Sequence, residues 1–221
     1  MNPKVPPGSD AGSYFPALNF PLWFHGQGLL ESILTEVFAE AWMDVDPGAQ
    51  QPVELAFNRV LDALSLGENP SRCHRRFVRL GLIHALASQA WIRKYTPEDT
   101  RASALTDEVA RWLSSGTPLS IPQGSELYPV AATRHQHLDE EREVHRCLSL
   151  MPTEPNRCRT LLLDILDLTL TGYAVHPGGG LARRDLFNWW LCQAVPATYM
   201  DRLPDHIYSG DWPWPPQGSS R

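Results

Sequence analysis

The sequence predicts an all-α fold, a single globular domain of about seven helices packed around a central apolar helix at about 156–173. Apolar residues recur at helical spacing along most of the chain. The stretch LLLDILDLTL at 161–170 is apolar on nearly every side, and leucine favours helices more than strands. Because a membrane span needs about 20 apolar residues, we expect this shorter run inside a helical domain.

Irregular segments are predicted at both ends of the chain. Residues 1–25 form an arm rich in proline and aromatic residues, of which 14–25 is expected to lie along the helices. An exposed aromatic arm that docks on a partner is the alternative. The Trp- and Pro-rich segment 201–221 is predicted to be an extended tail, which leaves 26–200 as the helical domain.

The first three helices follow from the spacing of their apolar residues. We predict the first at 29–42, the second at 53–64 and the third at about 77–95. Pro52 near the start of the second helix and Gly67 just past its end support its boundaries.

The fourth predicted helix has the clearest end signals. Thr96 is a candidate N-cap, Pro97 suits the first helical position, and Asp99 falls at the reciprocal capping position. Gly116 is expected to end this helix.

A long connection at 117–135 precedes the last three predicted helices, and connections of this length are often functional. The fifth helix is predicted at about 138–150 and the sixth at 156–173. The seventh is predicted at about 181–195, where Pro196 is expected to end it.

Composition excludes several classes of protein. The 221-residue chain is 43% hydrophobic, enough for one core without a metal or disulfide, and its net charge of −6 argues against nucleic-acid and membrane partners. The four cysteines form no CxxC pair, and the N-terminus has no apolar signal core. We therefore predict a cytoplasmic protein without a cofactor. Its marked preference for arginine over lysine indicates a GC-rich, bacterial source.

The densest polar cluster is RHQHLDEEREVH at 134–145. His137, Glu141 and His145 recur every four residues, so they share one helix face, and these side chains can bind a divalent metal. The HExxH order of zinc peptidases and the ExxH step of di-iron bundles are both absent. The simpler interpretation is a solvated helix start, and no metal is expected.

Two carboxylates, Asp164 and Asp167, lie one turn apart in the apolar sixth helix. Buried carboxylates need partners or a raised pKa, so they are alternative candidates for an acid–base or metal-binding pair. The simpler interpretation pairs each with an arginine or brings it to solvent. We expect Asp167 to be buried, so that its removal costs more stability than a surface change.

Four arginines, Arg72, Arg75, Arg76 and Arg79, lie within SRCHRRFVR at 71–79. Three of them, Arg72, Arg76 and Arg79, are predicted to share an exposed helix face that contacts a phosphate or an acidic patch of a partner. A solvated face that forms salt bridges is the alternative. Trp212 and Trp214 in the tail are further candidate partner contacts.

The stretch YTPEDTRASALTDEVARWLSSG at 95–116 resembles a segment of some helical immunity proteins from bacterial toxin systems. The resemblance covers about a tenth of the chain, and the histidine and alanine repeats further along those proteins are missing here. It implies a helical protein that contacts a toxin.

These observations favour a non-enzymatic interaction module, such as an immunity-type protein or an accessory protein of a defence or secretion system, with a protein partner. Recognised catalytic motifs are absent from the sequence, whereas its aromatic, proline-rich ends and acidic balance suit protein contacts. The alternative is a metal-dependent helical enzyme, a hydrolase or oxidoreductase, that uses the His, Glu and Asp residues above. The sequence leaves the oligomeric state open.

Overall fold

A computed structural model describes residues 18–41, 50–128, 136–171 and 180–208, and this part of the chain is helical without any β-strand. The all-α prediction is therefore confirmed. The longer elements are α1 (Leu29–Ala41), α2 (Gln50–Ser65), α3 (Pro70–Tyr95), α4 (Arg101–Ser115), α5 (Gln136–Leu150), α6 (Cys158–Leu166), α7 (Gly180–Trp189) and α8 (Val195–Tyr199). Two π-helical segments, Asp167–Thr171 and Trp190–Ala194, continue α6 and α7.

The long helix α3 holds the central position. It begins where the side chain of Asn69 accepts a hydrogen bond from the backbone N–H of Arg72 at 2.9 Å, with Pro70 in the first helical position. α3 then packs against α2, α4, α5, α6 and α8. Its inward side chains, including Val78, Leu80 and Ile83, are fully buried.

The helix at 158–171 is not confirmed as the centre of the fold. It packs against α3 and α5, with Leu162 and Ile165 in the core. Asp164 and Asp167 lie on its exposed side, so the expectation that Asp167 is buried was wrong. The leucine run is amphipathic here because its two acids recur about one turn apart and share the solvent side.

Glycine allows α3 to approach the segment that follows α5. A Cβ atom at Gly81 would lie 2.8 Å from Sδ of Met151 and 3.4 Å from Cδ1 of Ile165. The absence of a side chain at this position therefore brings α3 close to α6 and to the end of α5.

The N-cap predicted for the fourth helix was wrong. Thr96 instead ends α3, because its N–H donates to the carbonyl of Ile92 at 2.8 Å. α4 begins at Arg101, after Asp99 has accepted a hydrogen bond from the N–H of Arg101 at 3.2 Å. Gly116 ends α4 as predicted, in the left-handed conformation with φ 74°.

Pro196 does not end the last helix. The chain passes through the π-helical segment Trp190–Ala194 into α8, where Pro196 occupies the first turn. The N–H of Val195 donates to the carbonyl of Trp190, five residues earlier. Because proline has no N–H to give, this wider turn before it lets the helix continue.

The described parts of the two predicted end segments pack on the helices. Phe24 is fully buried and its ring lies 6.4 Å from that of Tyr199, while Tyr208 packs on Trp189 at 5.8 Å. Trp212 and Trp214 lie outside the described residues. No helix in the described part of the chain has both the length and the apolar character needed to cross a bilayer.

Candidate functional site

The four arginines near the start of α3 do not form one exposed face. Arg76 is only 1% exposed and Arg79 only 9%, whereas about half of the Arg72 side chain is exposed. The expectation that Arg72, Arg76 and Arg79 share an exposed face was therefore wrong. The ends of α2 and α8 contact the guanidinium of Arg76, and Asp201 contacts that of Arg79.

Arg76 joins the ends of two other helices. Its guanidinium donates to the carbonyl of Leu64 in the last turn of α2 at 2.7 Å, and to that of Tyr199 at the end of α8 at 3.3 Å. It also forms an ion pair with Glu68 at 3.0 Å and lies 4.6 Å from the centre of the Tyr199 ring. Carbonyls at helix ends lack partners within their own helix, so Arg76 satisfies groups that would otherwise be unpaired.

Asp201 binds the two arginines that flank Arg76 on α3. One carboxylate oxygen accepts from Nη1 of Arg79, and the other lies 3.4 Å from Nη2 of Arg72. Burial lowers the pKa of Arg79, and the nearby Arg75 and Arg76 lower it further, whereas the carboxylate of Asp201 opposes this shift. The Asp201 carboxylate thus compensates a guanidinium that has largely left water.

The backbone holds Asp201 in an unusual conformation. Its φ is 57°, and it is the one non-glycine residue with positive φ among those described. The N–H of Arg202 donates to the carbonyl of Ala197 at 2.9 Å and that of Asp201 to Thr198 at 3.2 Å, which closes α8 as a Schellman motif. Glycine is usual at this position, and a side chain there costs about 1 kcal/mol.

Two adjoining pockets share Asp201 in their lining, and together they are here called the Asp201 groove. Its polar half has a volume of about 440 Å³ and its apolar half about 330 Å³, and Arg79 and Asp201 line both. The polar half is completed by Asn69, Ser71, Arg72 and Arg75, and the apolar half by Leu82, Ala110, Leu113, Ser114, Arg202 and Leu203. These volumes fall in the range of ligand-binding clefts, about 300–1,000 Å³.

Arg75 borders the groove from the α4 side. Its guanidinium lies 5.7 Å from the centre of the Trp112 ring and donates to the carbonyl of Leu113 near the end of α4. Both contacts orient the charge without neutralising it, since neither partner is a carboxylate.

The residues predicted as alternative metal ligands do not come together: some are buried on α5 and others are exposed on α6. Glu141 and His145 are fully buried on α5, and the side chain of His137 lies outside the described residues. Asp164 and Asp167 are exposed on α6 and the π segment after it. Within the described ranges no group of three His, Cys, Asp or Glu side chains is placed to hold a metal.

Burial dominates the protonation of the α5 pair. It raises the pKa of Glu141 to about 9 and lowers that of His145 to about 4, so both side chains are neutral at neutral pH. The ring of His145 contacts the carbonyl of Glu141 at 2.8 Å, and neither carboxyl oxygen of Glu141 has a hydrogen-bond partner among the described groups. The solvated helix start predicted for Glu141 was therefore wrong.

Within the α6 acid pair, partial burial and the neighbouring Asp167 carboxylate raise the pKa of Asp164. Asp167 accepts a hydrogen bond from the hydroxyl of Thr171. Among the described contacts, neither aspartate forms an arginine ion pair. Both reach solvent, which is the other arrangement that the simpler interpretation allowed.

The segment that resembles immunity proteins contains a tight local ion pair. Arg101 donates to both carboxylate oxygens of Asp99, at 2.8 and 2.7 Å. These hydrogen bonds lower the pKa of Asp99. The guanidinium of Arg101 also lies 4.4 Å from the centre of the Tyr128 ring. This pair therefore orders the start of α4.

Comparison with known proteins identifies no relative, because no family model, curated protein or solved structure matches the chain. Sequence reasoning had missed Glu68 and Asp201, the two acids that contact the arginines. Asp201 had been assigned to an extended tail, and its separation from Arg72 by 129 positions gave no local signal.

Replacing Arg76 with methionine should destabilise the fold strongly. The change keeps an apolar stem but leaves two helix-end carbonyls without their donor and removes one of the two arginines that pair with Glu68, so we expect a loss of about 3–5 kcal/mol. Urea denaturation measures the loss. The control Arg72→Met removes two ion pairs of a half-exposed side chain, with Glu68 and Asp201, and should cost no more than about 1 kcal/mol. Equal losses in the two variants would contradict the buried role of Arg76.

Replacing Glu141 with glutamine should increase stability at alkaline pH. The carboxyl has a pKa of 4.5 as a free group and about 9 in the fold, so between these values the folded state holds a proton that the unfolded state has lost. Stability therefore falls as pH rises through this window. Glu141→Gln should exceed the wild type near pH 8 and match it near pH 4 in urea denaturation. Parallel curves would show that Glu141 does not titrate with unfolding.

Proposed function

We propose that this chain is a non-enzymatic protein-interaction module that binds an acidic protein partner through the polar half of the Asp201 groove. The observation that supports it most directly is that Arg72, Arg75 and Arg79 line the same half of the groove, where Asp201 supplies the one carboxylate among the lining residues. The chain as a whole carries a net charge of −6, so the positive charge of this groove is opposite in sign to that of the whole chain.

The geometry favours carboxylates as the groups recognised. Guanidinium groups bind them through paired, charge-assisted hydrogen bonds, and Arg72 and Arg75 keep exposed surface for such contacts. Among the ion pairs of the described residues, the four arginines at 72–79 have only Glu68 and Asp201 as acidic partners. The excess of positive charge would also speed the approach of an acidic partner.

The biological class of the protein and of its partner is a more specific proposal. We propose an immunity-type protein, or an accessory protein of a defence or secretion system, in a bacterial cytoplasm. The resemblance of residues 95–116 to toxin-immunity proteins supports it, and Trp112 from that segment contacts Arg75 beside the groove.

Charge reversal tests the proposed function. We expect Arg72→Glu/Arg75→Glu to weaken binding to a partner purified from the native host by about tenfold or more, mainly through slower association. Rising salt should weaken wild-type binding, because exposed charges are screened over about 8 Å at physiological ionic strength. Surface plasmon resonance measures both effects.

Arg157→Glu provides the matched control for this experiment. Arg157 is an exposed arginine that pairs with Glu154 at 2.6 Å, away from the groove residues. The control should bind like the wild type. Full-strength, salt-independent binding by the Arg72/Arg75 double variant would rule out the groove as the interaction surface.

A further inference from the structure

Within the Asp201 groove, two chemically different surfaces meet at one carboxylate. On one side lie Arg72 and Arg75, and on the other lie Leu82, Leu113 and the partly exposed Leu203. Because the two halves share Arg79 and Asp201, a ligand that fills both must be charged at one point and apolar beside it.

The contacts of Asp201 show that Arg72 and Arg79 bind a carboxylate. Its two oxygens contact the guanidinium groups of Arg79 and Arg72, and 43% of its side chain remains exposed. An incoming carboxylate could therefore reach the same donors from solvent.

We propose that the Asp201 groove binds a protein segment with a carboxylate next to an apolar side chain, and that the incoming carboxylate displaces Asp201 from Arg72 and Arg79. The apolar side chain then lies against Leu82, Leu113 and Leu203. This inference rests on the proposed function and names both the chemistry of the partner segment and the residue that regulates access to the groove.

Exchange of one carboxylate for another explains how a largely buried arginine can be used for recognition. Arg79 would lose much of its stabilisation if it were left unpaired, since its guanidinium is mostly out of water. A partner carboxylate restores the lost ion pair, whereas a neutral ligand does not. The groove is therefore selective for acids even though one of its halves is apolar.

The experiment uses the full chain and three defined dipeptides, followed by NMR. N-acetyl-Glu-Leu-amide carries both features, N-acetyl-Gln-Leu-amide lacks the charge, and N-acetyl-Glu-Ser-amide lacks the apolar side chain. We expect the first to shift the backbone amide signals of 69–82 and 198–204 with a Kd on the order of millimolar. Each of the other two should bind at least about threefold more weakly.

Asp201→Asn tests the displacement step. Asparagine tolerates the left-handed conformation but cannot form the ion pairs, so N-acetyl-Glu-Leu-amide should bind this variant about three- to tenfold more tightly. Asp62→Asn is the control for net charge, because Asp62 pairs with Arg159 on the surface of α2 and α6. That variant should bind like the wild type.

The outcomes separate this inference from the proposed function. If Asp201→Asn binds no more tightly than Asp62→Asn, or if the Gln dipeptide binds as well as the Glu dipeptide, the displacement proposal is wrong. The interaction module would still stand as long as the purified partner depends on Arg72 and Arg75. If the partner ignores those arginines, the proposed function itself fails.

Discussion

The described structure depends on one buried cation. Arg76 brings a guanidinium into the space where α2 and α8 end beside α3, and it donates to a carbonyl of each. Burying a charge is costly unless it is paired and hydrogen-bonded. Here Glu68 supplies the ion pair and the Tyr199 ring packs against the guanidinium, whereas Nε of Arg76 has no hydrogen-bond partner among the described groups. The positive charge also faces the negative ends of two helix dipoles. A single side chain of α3 thereby links the ends of α2 and α8, which also pack on α3 directly.

The groove follows from that arrangement. Once Arg76 holds the end of α8, the Schellman turn after Tyr199 places Asp201 over α3, within reach of Arg79 and Arg72. Arg76 thus has a structural role, while its neighbours on α3 border an open surface. The segment at 72–79 therefore supplies both the buried Arg76, which connects α3 to the ends of α2 and α8, and the arginines that we propose for recognition.

Local signals predicted most helices because apolar spacing and glycine stops act within a few residues. Local signals failed where contacts between distant parts of the chain determine the position of a helix. The most apolar run, 161–170, was predicted to be central, but it packs at one side of the less apolar α3. Arg76 was expected to be exposed, because its acceptor, the carbonyl of Tyr199, lies 123 positions away and the nearby sequence does not indicate it. The ion pairs of Asp201 with Arg72 and Arg79 were not predicted for the same reason, since these residues are far apart in the sequence. Pro196 does not end the helix because a π-helical turn precedes it and accommodates the missing N–H, and the local sequence does not indicate this turn.

Hydrogen exchange of the arginine side chains tests the central claim most directly. NMR of selectively ¹⁵N-labelled arginine in the full chain can follow the guanidinium protons of Arg76 and Arg72 separately. The structure predicts that protons of Arg76 exchange as slowly as backbone amides in the core of α3, because they open only with larger unfolding events. Those of Arg72 should exchange nearly as fast as in free arginine. Equally fast exchange at both residues would contradict the account of Arg76 as the buried connection between α2, α3 and α8.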